Sequence, residues 1–206
     1  MSDLYKSMTE LVRFEKEFLF ETQDRMSDVL ITAIHGGGIE AGTSELAQCI
    51  SEQANANHFS FKGLKRKDNF DLHVTSTNYD YPDLIKWSQN MNKVIAIHGY
   101  SDRKAKTLVG GMDKQLVTLI AQHLKNEGFN VEIAPNHLAG RNVKNITNKN
   151  KRGMGVQLEL STQQRKELFT NNDVSRSNRE SKGNWSETLY RYSNAINKAL
   201  KDIGES

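Results

Sequence analysis

The chain has 206 residues, a formal net charge of +3 and one cysteine, Cys49. This length fits one ordinary domain with its own core, and we predict a single domain over residues 1–206. A lone cysteine excludes an intramolecular disulfide and a two-cysteine metal site. No stretch approaches the roughly 20 apolar residues of a membrane span, and the first residues do not resemble a secretory signal. We therefore expect synthesis in a cytoplasm without a signal peptide, and no membrane partner.

Helical and extended patterns alternate along the chain. Apolar residues at helical spacing predict a first helix over residues 5–24; they are Leu11, Phe14, Phe18 and Leu19. Further helices are predicted over 41–54, 81–90, 112–129 and 186–203, the first of these capped by Thr43 or Ser44. Strands are predicted over 27–35, 58–64, 70–77, 93–99, 130–135 and 155–161, and residues 136–153 are polar and irregular. This alternation predicts an α/β fold with a largely parallel or mixed central sheet flanked by helices.

The tetrapeptide Ala-Ile-His-Gly occurs twice, at 33–36 and at 96–99, each time where a predicted buried strand ends. Binding sites in open α/β sheets lie at the carboxyl ends of strands. Glycine after the histidine lets the backbone turn sharply and leaves space beside the imidazole. The sequence therefore predicts that His35 and His98 meet at one edge of the sheet.

Glu40 follows His35 by five residues, across the run "HGGGIE". The glycines allow the chain to fold back and bring this carboxylate beside His35. Two histidines and one carboxylate are the usual protein ligands of a catalytic zinc ion, which keeps a fourth position for water. The same histidines can also be ordinary hydrogen-bonded loop residues, and the residues alone leave both interpretations open.

Two other interpretations of the run "HGGG" each require a second motif that the chain lacks. An esterase-type oxyanion loop requires a nucleophile elbow, and the chain contains no G-x-S-x-G. A phosphate-binding loop requires a closing G-K-[ST], which is also missing here.

Glu159 is a candidate general base. In the predicted strand 155–161, Gln157 and Glu159 share one face and the apolar residues share the other. A carboxyl group among apolar neighbours can have its pKa raised toward the neutral range in which a base works. The alternative is a half-exposed strand whose polar residues simply point to water.

Basic residues are grouped at 62–69, 101–106 and 148–152. Such groups are often solvated loops, but they can also form a surface that attracts a polyanion. Nucleic acid and an acidic polypeptide are the two candidates.

In its motifs the chain resembles the bacteriophage poly-γ-glutamate hydrolases and their Bacillus relatives, zinc enzymes with a carboxypeptidase-like α/β fold. The motifs occur in the same order over most of residues 25–170: "IHGGGIEAGTSELA", "DLHVTSTNYDYP", "VIAIHGYSD", "VGGMDKQL", "NHLAGRNVKNITNKN" and "GVQLELS". The resemblance implies a Zn²⁺ ion on His35, Glu40 and His98, with Glu159 as general base. It also implies cleavage of γ-glutamyl amide bonds in poly-γ-glutamate, as in phage removal of a host capsule.

The chain departs from the broader carboxypeptidases in two ways. Their first two ligands lie three residues apart instead of five, and they bind the substrate's terminal carboxylate with an Asn-Arg pair where this chain has Arg141 followed by Asn142. The second difference favours an enzyme that acts within a long chain. Since arginine matches a carboxylate at two points, Arg141 is the first candidate for substrate binding. The other candidates are Asn145, Asn148, His73 and Tyr81.

Two alternative functions remain at this point. One is another zinc amidase or peptidase, acting on γ-glutamyl cell-wall peptides. The other is a phage replication-associated protein that binds nucleic acid, although the chain has no nucleic-acid motif and only a mild net charge. We expect a monomer that binds an acidic polypeptide and no nucleic acid, made in the host cytoplasm and released to the medium on lysis.

Overall fold

The computed structural model describes residues 3–204. Its α-helices are α1 (Met8–Phe14), α2 (Thr43–Gln53), α3 (Pro82–Gln89), α4 (Lys114–Asn126), α5 (Thr162–Glu167), α6 (Arg176–Arg179) and α7 (Glu187–Gly204). Its strands are β1 (Phe18–Gln23), β2 (Val29–Gly37), β3 (Asn57–Gly63), β4 (Lys93–Tyr100), β5 (Thr107–Gly111), β6 (Val131–Ile133) and β7 (Val156–Ser161). Short 3-10 helices include Asn69–Leu72, Asn136–Leu138 and Ile146–Asn148.

The seven strands form one mixed sheet in the order β1-β3-β2-β4-β7-β5-β6. The four strands from β3 to β7 in this order run parallel, while β1 is antiparallel to β3 and β5 is antiparallel to β7. The predicted α/β class with a largely parallel or mixed sheet is confirmed. The parallel strands β2, β4 and β7 bring their carboxyl ends to the same edge of the sheet.

Helices cover the sheet on both faces. On one face, α2, α4 and α7 pack on alternate strand residues such as Ile31, Ile97 and Leu158. On the other face, α1 and α3 pack on the intervening residues, such as Leu30. Strands buried on both faces read as continuous apolar runs, which explains the apolar character of β2 and β4.

The predicted helix over 5–24 is wrong in its second half. Helix α1 ends at Phe14 because Glu15 is extended, and residues 18–23 form the edge strand β1 instead. Phe18 and Phe20 alternate with exposed Leu19 and pack against Phe61 of β3. Aromatic packing across the sheet outweighs the helical spacing that the sequence suggested.

The predicted strand over 70–77 is also wrong. Asn69–Leu72 is a 3-10 helix that follows Asp68 in the left-handed region, with φ of 57°. The next residues are held by side-chain bonds rather than by a neighbouring strand, since the Thr75 backbone N–H donates to Asp3 Oδ2 at 2.7 Å.

The cap predicted for α2 is wrong as well, and several short elements were missed. Gly42, with φ of 98°, is the N-cap, and Ser44 instead accepts a hydrogen bond from the Gly37 backbone. Strand β5 and helices α5 and α6 are only four to six residues long, too short for periodicity to reveal. In residues 3–204 no helix combines the length and apolar character that a membrane crossing requires.

Candidate metal and catalytic site

His35 and His98 lie side by side at the carboxyl ends of neighbouring strands. Their strands β2 and β4 pair in parallel through residues 29–32 and 93–96, and both imidazoles are 2% exposed. The Nδ1 atoms of the two rings are 3.1 Å apart. The buried pair places two nitrogen ligands at one point.

The glycine run after His35 returns the chain so that Glu40 joins the histidines. Gly37 adopts φ of +64°, and the Glu40 backbone N–H donates to the His35 carbonyl at 2.9 Å. Glu40 Oε1 then lies 3.1 Å from His35 Nδ1, and Oε2 lies 3.7 Å from His98 Nδ1. The five-residue spacing is therefore compatible with a convergent donor set.

The hydrogen bonds of His35 indicate whether these side chains can bind a cation. His35 Nε2 lies 2.9 Å from the Val74 carbonyl, which can only accept, so the ring proton is on Nε2. The Nδ1 lone pair consequently faces a carboxylate oxygen and a second imidazole. Two acceptors in contact repel each other unless a proton or a metal cation lies between them, and two imidazoles with a carboxylate are a donor set that fits a zinc ion.

Charge and burial act in opposite directions on these groups. Burial alone raises the pKa of Glu40, but the imidazoles of His35 and His98 outweigh it and hold that pKa well below its usual range. Burial alone lowers the pKa of His98, but its hydrogen bond to Glu40 and the nearby Glu159 carboxylate raise it overall. The site therefore favours a carboxylate next to positive charge.

His73 approaches the same point from the loop before α3. Its ring lies over the His35 ring with centroids 4.0 Å apart, and its Nδ1 lies 2.7 Å from Asp3 Oδ1. Burial lowers the pKa of His73 to about 4, assisted by His35. Ligand atoms of His35, Glu40 and His73 lie within 4.8 Å of one another, so these three residues also form a possible metal group.

Glu159 on β7 lies directly across the parallel ladder from His98. Its side chain shares the sheet face of Gln157, as the alternation predicted, but both residues are only 6% exposed. They are therefore buried, rather than forming the water-facing side of a half-exposed strand. Burial raises the pKa of Glu159 to about 7, with Glu40 adding to the rise and His98 opposing it.

A cavity of about 370 Å³ opens over these groups. Its walls include the two histidines of the strand ends, Glu40, His73 and Glu159, and also Tyr100 and His137. Tyr100 and His137 were not among the site residues predicted from the sequence. Tyr100 follows the second Ala-Ile-His-Gly copy, so its position was a usable signal, whereas nothing in the irregular segment pointed to His137.

Arg165 of α5 is a half-buried cation behind the site that the sequence did not reveal. Its Nη1 donates to the Ala41 carbonyl at 2.9 Å and its Nε to the Leu160 carbonyl at 3.3 Å. A Cβ on Gly99 would lie 2.5 Å from Arg165 Nε, so glycine at 99 makes room for the guanidinium. Burial lowers the pKa of Arg165, while the charges of Glu40 and Glu159 oppose this effect.

The other predicted substrate contacts lie in different surroundings. Arg141 is exposed on the loop between β6 and β7. Asn145 and Asn148 are 4% exposed and bond within the protein, Asn145 to Gln157 and Asn148 to the Gly140 carbonyl. Tyr81 stacks on Phe20 at 4.2 Å. Among residues 3–204, those that line the cavity do not include these four.

Comparison with known proteins places the chain among hydrolases. A sequence profile described as poly-gamma-glutamate hydrolase matches residues 5–195, and the chain belongs to this family. It is 33% identical to a structure described as a bacteriophage poly-gamma-glutamate hydrolase, with a TM-score of 0.95 and 99% of each chain covered.

Two further relatives agree with this family. A structure described as YNDL-apo (Zinc-free) is 34% identical, with a TM-score of 0.92 and coverage of 98% of this chain and 99% of that one. The SPbeta prophage-derived UPF0714 protein YoqZ of Bacillus subtilis (strain 168) is 38% identical over 98% of this chain and 73% of its own length. The family thus includes phage and Bacillus members, and the zinc-free description points to zinc in YNDL.

Proposed function

We propose that the chain is a zinc-dependent hydrolase that cleaves γ-glutamyl amide bonds within poly-γ-glutamate. The observation that supports this most is the convergence of His35, Glu40 and His98 beside the buried carboxyl group of Glu159, in one cavity. Membership of the poly-gamma-glutamate hydrolase family supports the substrate class.

We assign the metal to His35, Glu40 and His98 rather than to the group that contains His73. His98 Nδ1 lies 3.1 Å from His35 Nδ1, close to the Glu40 carboxylate. His73 is instead held by Asp3 and lies with its ring over that of His35. Its ring is tilted by 33° against that of His35 and lines the cavity, and we assign His73 a contact with substrate.

Zinc bound to this set would act as a Lewis acid on the scissile carbonyl and lower the pKa of a bound water. Glu159 would accept the proton of the attacking water and return it to the departing amine. Its pKa of about 7 suits a group that must both take and give a proton near neutrality. Glu40 and the histidines supply the negative charge and lone pairs that hold a cation beside this base.

The substrate carries one free carboxylate per residue, so a cation on the loop between β6 and β7 would guide it. Arg141 is exposed and is not committed to a buried ion pair, which leaves its guanidinium available for a two-point contact with a carboxylate. Asn145, Asn148 and Tyr81 would contribute through the packing of the surrounding loops. Action within a long chain fits the Arg-Asn order at 141–142, which lacks the carboxypeptidase clamp for a terminal carboxylate.

The test compares three polyanions at one salt concentration: poly-γ-glutamate, poly-α-glutamate and single-stranded DNA. We expect shortening of the γ-linked polymer alone, with internal cuts visible as an early fall in viscosity. Glu159→Gln should retain zinc and lose about two to four orders of magnitude in kcat, the range of general-base catalysis. DNA binding without cleavage of either polyglutamate would contradict the proposal and favour a nucleic-acid-binding function.

Zinc analysis of two histidine variants separates the two ligand sets. His98→Ala should lose the ion, while His73→Ala should retain about one equivalent per chain and show impaired turnover or substrate binding. Loss of zinc from His73→Ala with retention in His98→Ala would reverse the assignment.

A further inference from the structure

A line of buried side-chain amides leads from a backbone N–H to Glu159. The Thr147 backbone N–H and the Thr147 hydroxyl both donate to Asn145 Oδ1, at 3.0 and 2.8 Å. Asn145 Nδ2 donates to Gln157 Oε1 at 2.9 Å, and Gln157 Nε2 donates to Glu159 Oε1 at 2.8 Å. Each of these four residues is 6% exposed or less, so water does not compete for the bonds.

The donor and acceptor roles along this line follow from the Thr147 backbone N–H at its start. A backbone N–H can only donate, so the Asn145 atom that faces it must be the amide oxygen. The amide NH₂ of Asn145 then faces Gln157, whose oxygen must accept it. The NH₂ group of Gln157 is consequently left to face Glu159, and this oxygen of Glu159 must act as an acceptor.

Packing keeps the Gln157 amide in this position. Its Nε2 also donates to the Leu138 carbonyl at 3.3 Å, which accepts only and so requires the same amide orientation. A Cβ on Gly140, where φ is +62°, would lie 2.8 Å from Gln157 Oε1. The loop can therefore cover Gln157 closely only because residue 140 is glycine.

We propose that Gln157 is a positioning residue for the general base, and that Asn145 sets its orientation. Gln157 occupies Oε1 of Glu159 and thereby leaves Oε2 as the oxygen directed to the reacting water. This inference rests on the proposed function, because it gives Gln157 a role through Glu159. It assigns Asn145 to the support of the base instead of to direct contact with substrate.

Two variants remove different parts of this arrangement. Gln157→Met keeps the length of the side chain but cannot donate to Glu159. Asn145→Asp still accepts from Thr147 but cannot donate to Gln157, so the Gln157 amide is expected to turn and present its oxygen to Glu159. Gln48→Met is the matched control, because Gln48 Nε2 also donates to a glutamate, Glu52, at 3.0 Å, but on the surface of α2.

The measurements are kcat and KM on poly-γ-glutamate, zinc content, and crystal structures of both variants. We expect kcat to fall about tenfold to a hundredfold in Gln157→Met and Asn145→Asp. This is the usual effect of losing a hydrogen-bond partner that orients a group at a metal site. KM and zinc content should be unchanged, and the Glu159 carboxyl group should adopt a second rotamer. Gln48→Met should match the wild type.

A wild-type kcat in Gln157→Met, or an unmoved Glu159 carboxyl group in its crystal structure, would overturn the inference. A wild-type enzyme that cleaves no γ-polymer would refute the proposed function instead. In that case the crystal structures still decide whether Gln157 holds Glu159, because the position of the carboxyl group does not depend on turnover.

Discussion

Two carboxylates five residues apart, buried Glu45 and half-buried Glu40, have opposite surroundings. Glu45 lies on α2 and is 3% exposed, with Oε1 3.3 Å from Arg179 Nε and Oε2 accepting a hydrogen bond from the Ser44 hydroxyl. Glu40 lies in the loop before α2, faces two imidazoles and borders a cavity. Glu45 thus has a permanent cation from the protein, whereas the partners of Glu40 are imidazoles, which are charged only when protonated.

The pKa values of the two groups are shifted in opposite directions. Burial raises the pKa of Glu45 despite the nearby guanidinium of Arg179. Burial also opposes ionisation of Glu40, but the adjacent histidines hold its pKa low. The ion pair of Glu45 with Arg179 ties α2 to α6, while the carboxylate of Glu40, among imidazoles, can accept an external cation. The comparison predicts that stability depends on Glu45 and metal binding on Glu40.

The largest expected effect follows from Glu40→Gln. An amide lacks the negative charge of the carboxylate, so zinc content should fall below about one tenth of an equivalent. Activity should fall by at least about a hundredfold, since the loss of a residue that merely hydrogen-bonds to a metal ligand can already reach that size. Plasma emission spectrometry and polymer cleavage measure the two quantities. Circular dichroism should show a folded protein. A zinc-loaded, active Glu40→Gln enzyme would contradict the assignment of metal binding to Glu40 and of stability to Glu45.

Glu45→Gln should have the opposite pattern. The guanidinium of Arg179 would stay buried without its counter-charge, so the free energy of unfolding should fall by about 3–5 kcal/mol, while zinc content and kcat of the folded fraction stay unchanged. Urea denaturation measures the stability. The double variant Glu45→Leu/Arg179→Met removes both charges and should recover most of the loss, and a failure to recover would show that packing rather than charge is responsible.

Glu159 sharpens the comparison because it is a further buried carboxyl group and, among residues 3–204, forms no ion pair. Between pH 4.5 and about 7 the folded state holds a proton on Glu159 that the unfolded state has released, so this group makes the protein less stable as the pH rises. In chelator-treated protein, Glu159→Gln should therefore raise the free energy of unfolding more at pH 8 than at pH 4.5. The difference between the two effects should reach up to about 3 kcal/mol, given a pKa of about 7 against a reference of 4.5. Urea titrations at both pH values measure this difference, with Glu17→Gln on the surface as the control, and an equal effect of Glu159→Gln at both pH values would contradict it.

The smallest effect concerns an exposed charge. Arg141 lies in solvent, so its attraction for an acidic polymer should be screened by salt, unlike that of buried Arg179. KM for poly-γ-glutamate should rise severalfold from low salt to about 0.5 M while kcat changes little, because the screening length falls well below 10 Å. Arg141→Ala should raise KM at low salt and flatten this dependence, and Lys201→Ala on α7 serves as control. An unchanged salt dependence of KM in Arg141→Ala would show that the polymer does not bind near Arg141.

The fold class could be predicted from the sequence because apolar strands and amphipathic helices alternate over most of the chain. The positions of His35 and His98 at strand ends followed from the same pattern. Strand β1 was missed since Phe18 and Leu19 also fit a helical spacing after Leu11 and Phe14, and only the contact of residues 18–23 with β3 decides between helix and strand. Local periodicity carries no information about such a partner.

Long-range contacts account for what the site analysis missed. Asp3 reaches His73 across 70 residues, and Arg165 reaches the Ala41 carbonyl across 124. Asn145 and Gln157 meet because a polar loop folds over β7. No motif or spacing connects these residues, so their relation to the site appears only when the chain is folded.

The place of β4 in the sheet has a consequence for protein motion. It is the fourth of seven strands, with three on either side, and it carries His98. Amide protons on a central strand exchange with solvent mainly when the whole sheet opens, while edge strands and loops open locally at lower free energy. The backbone beneath the donor set should therefore exchange as slowly as any part of the molecule, so the proposed zinc ion would leave and return without local unfolding.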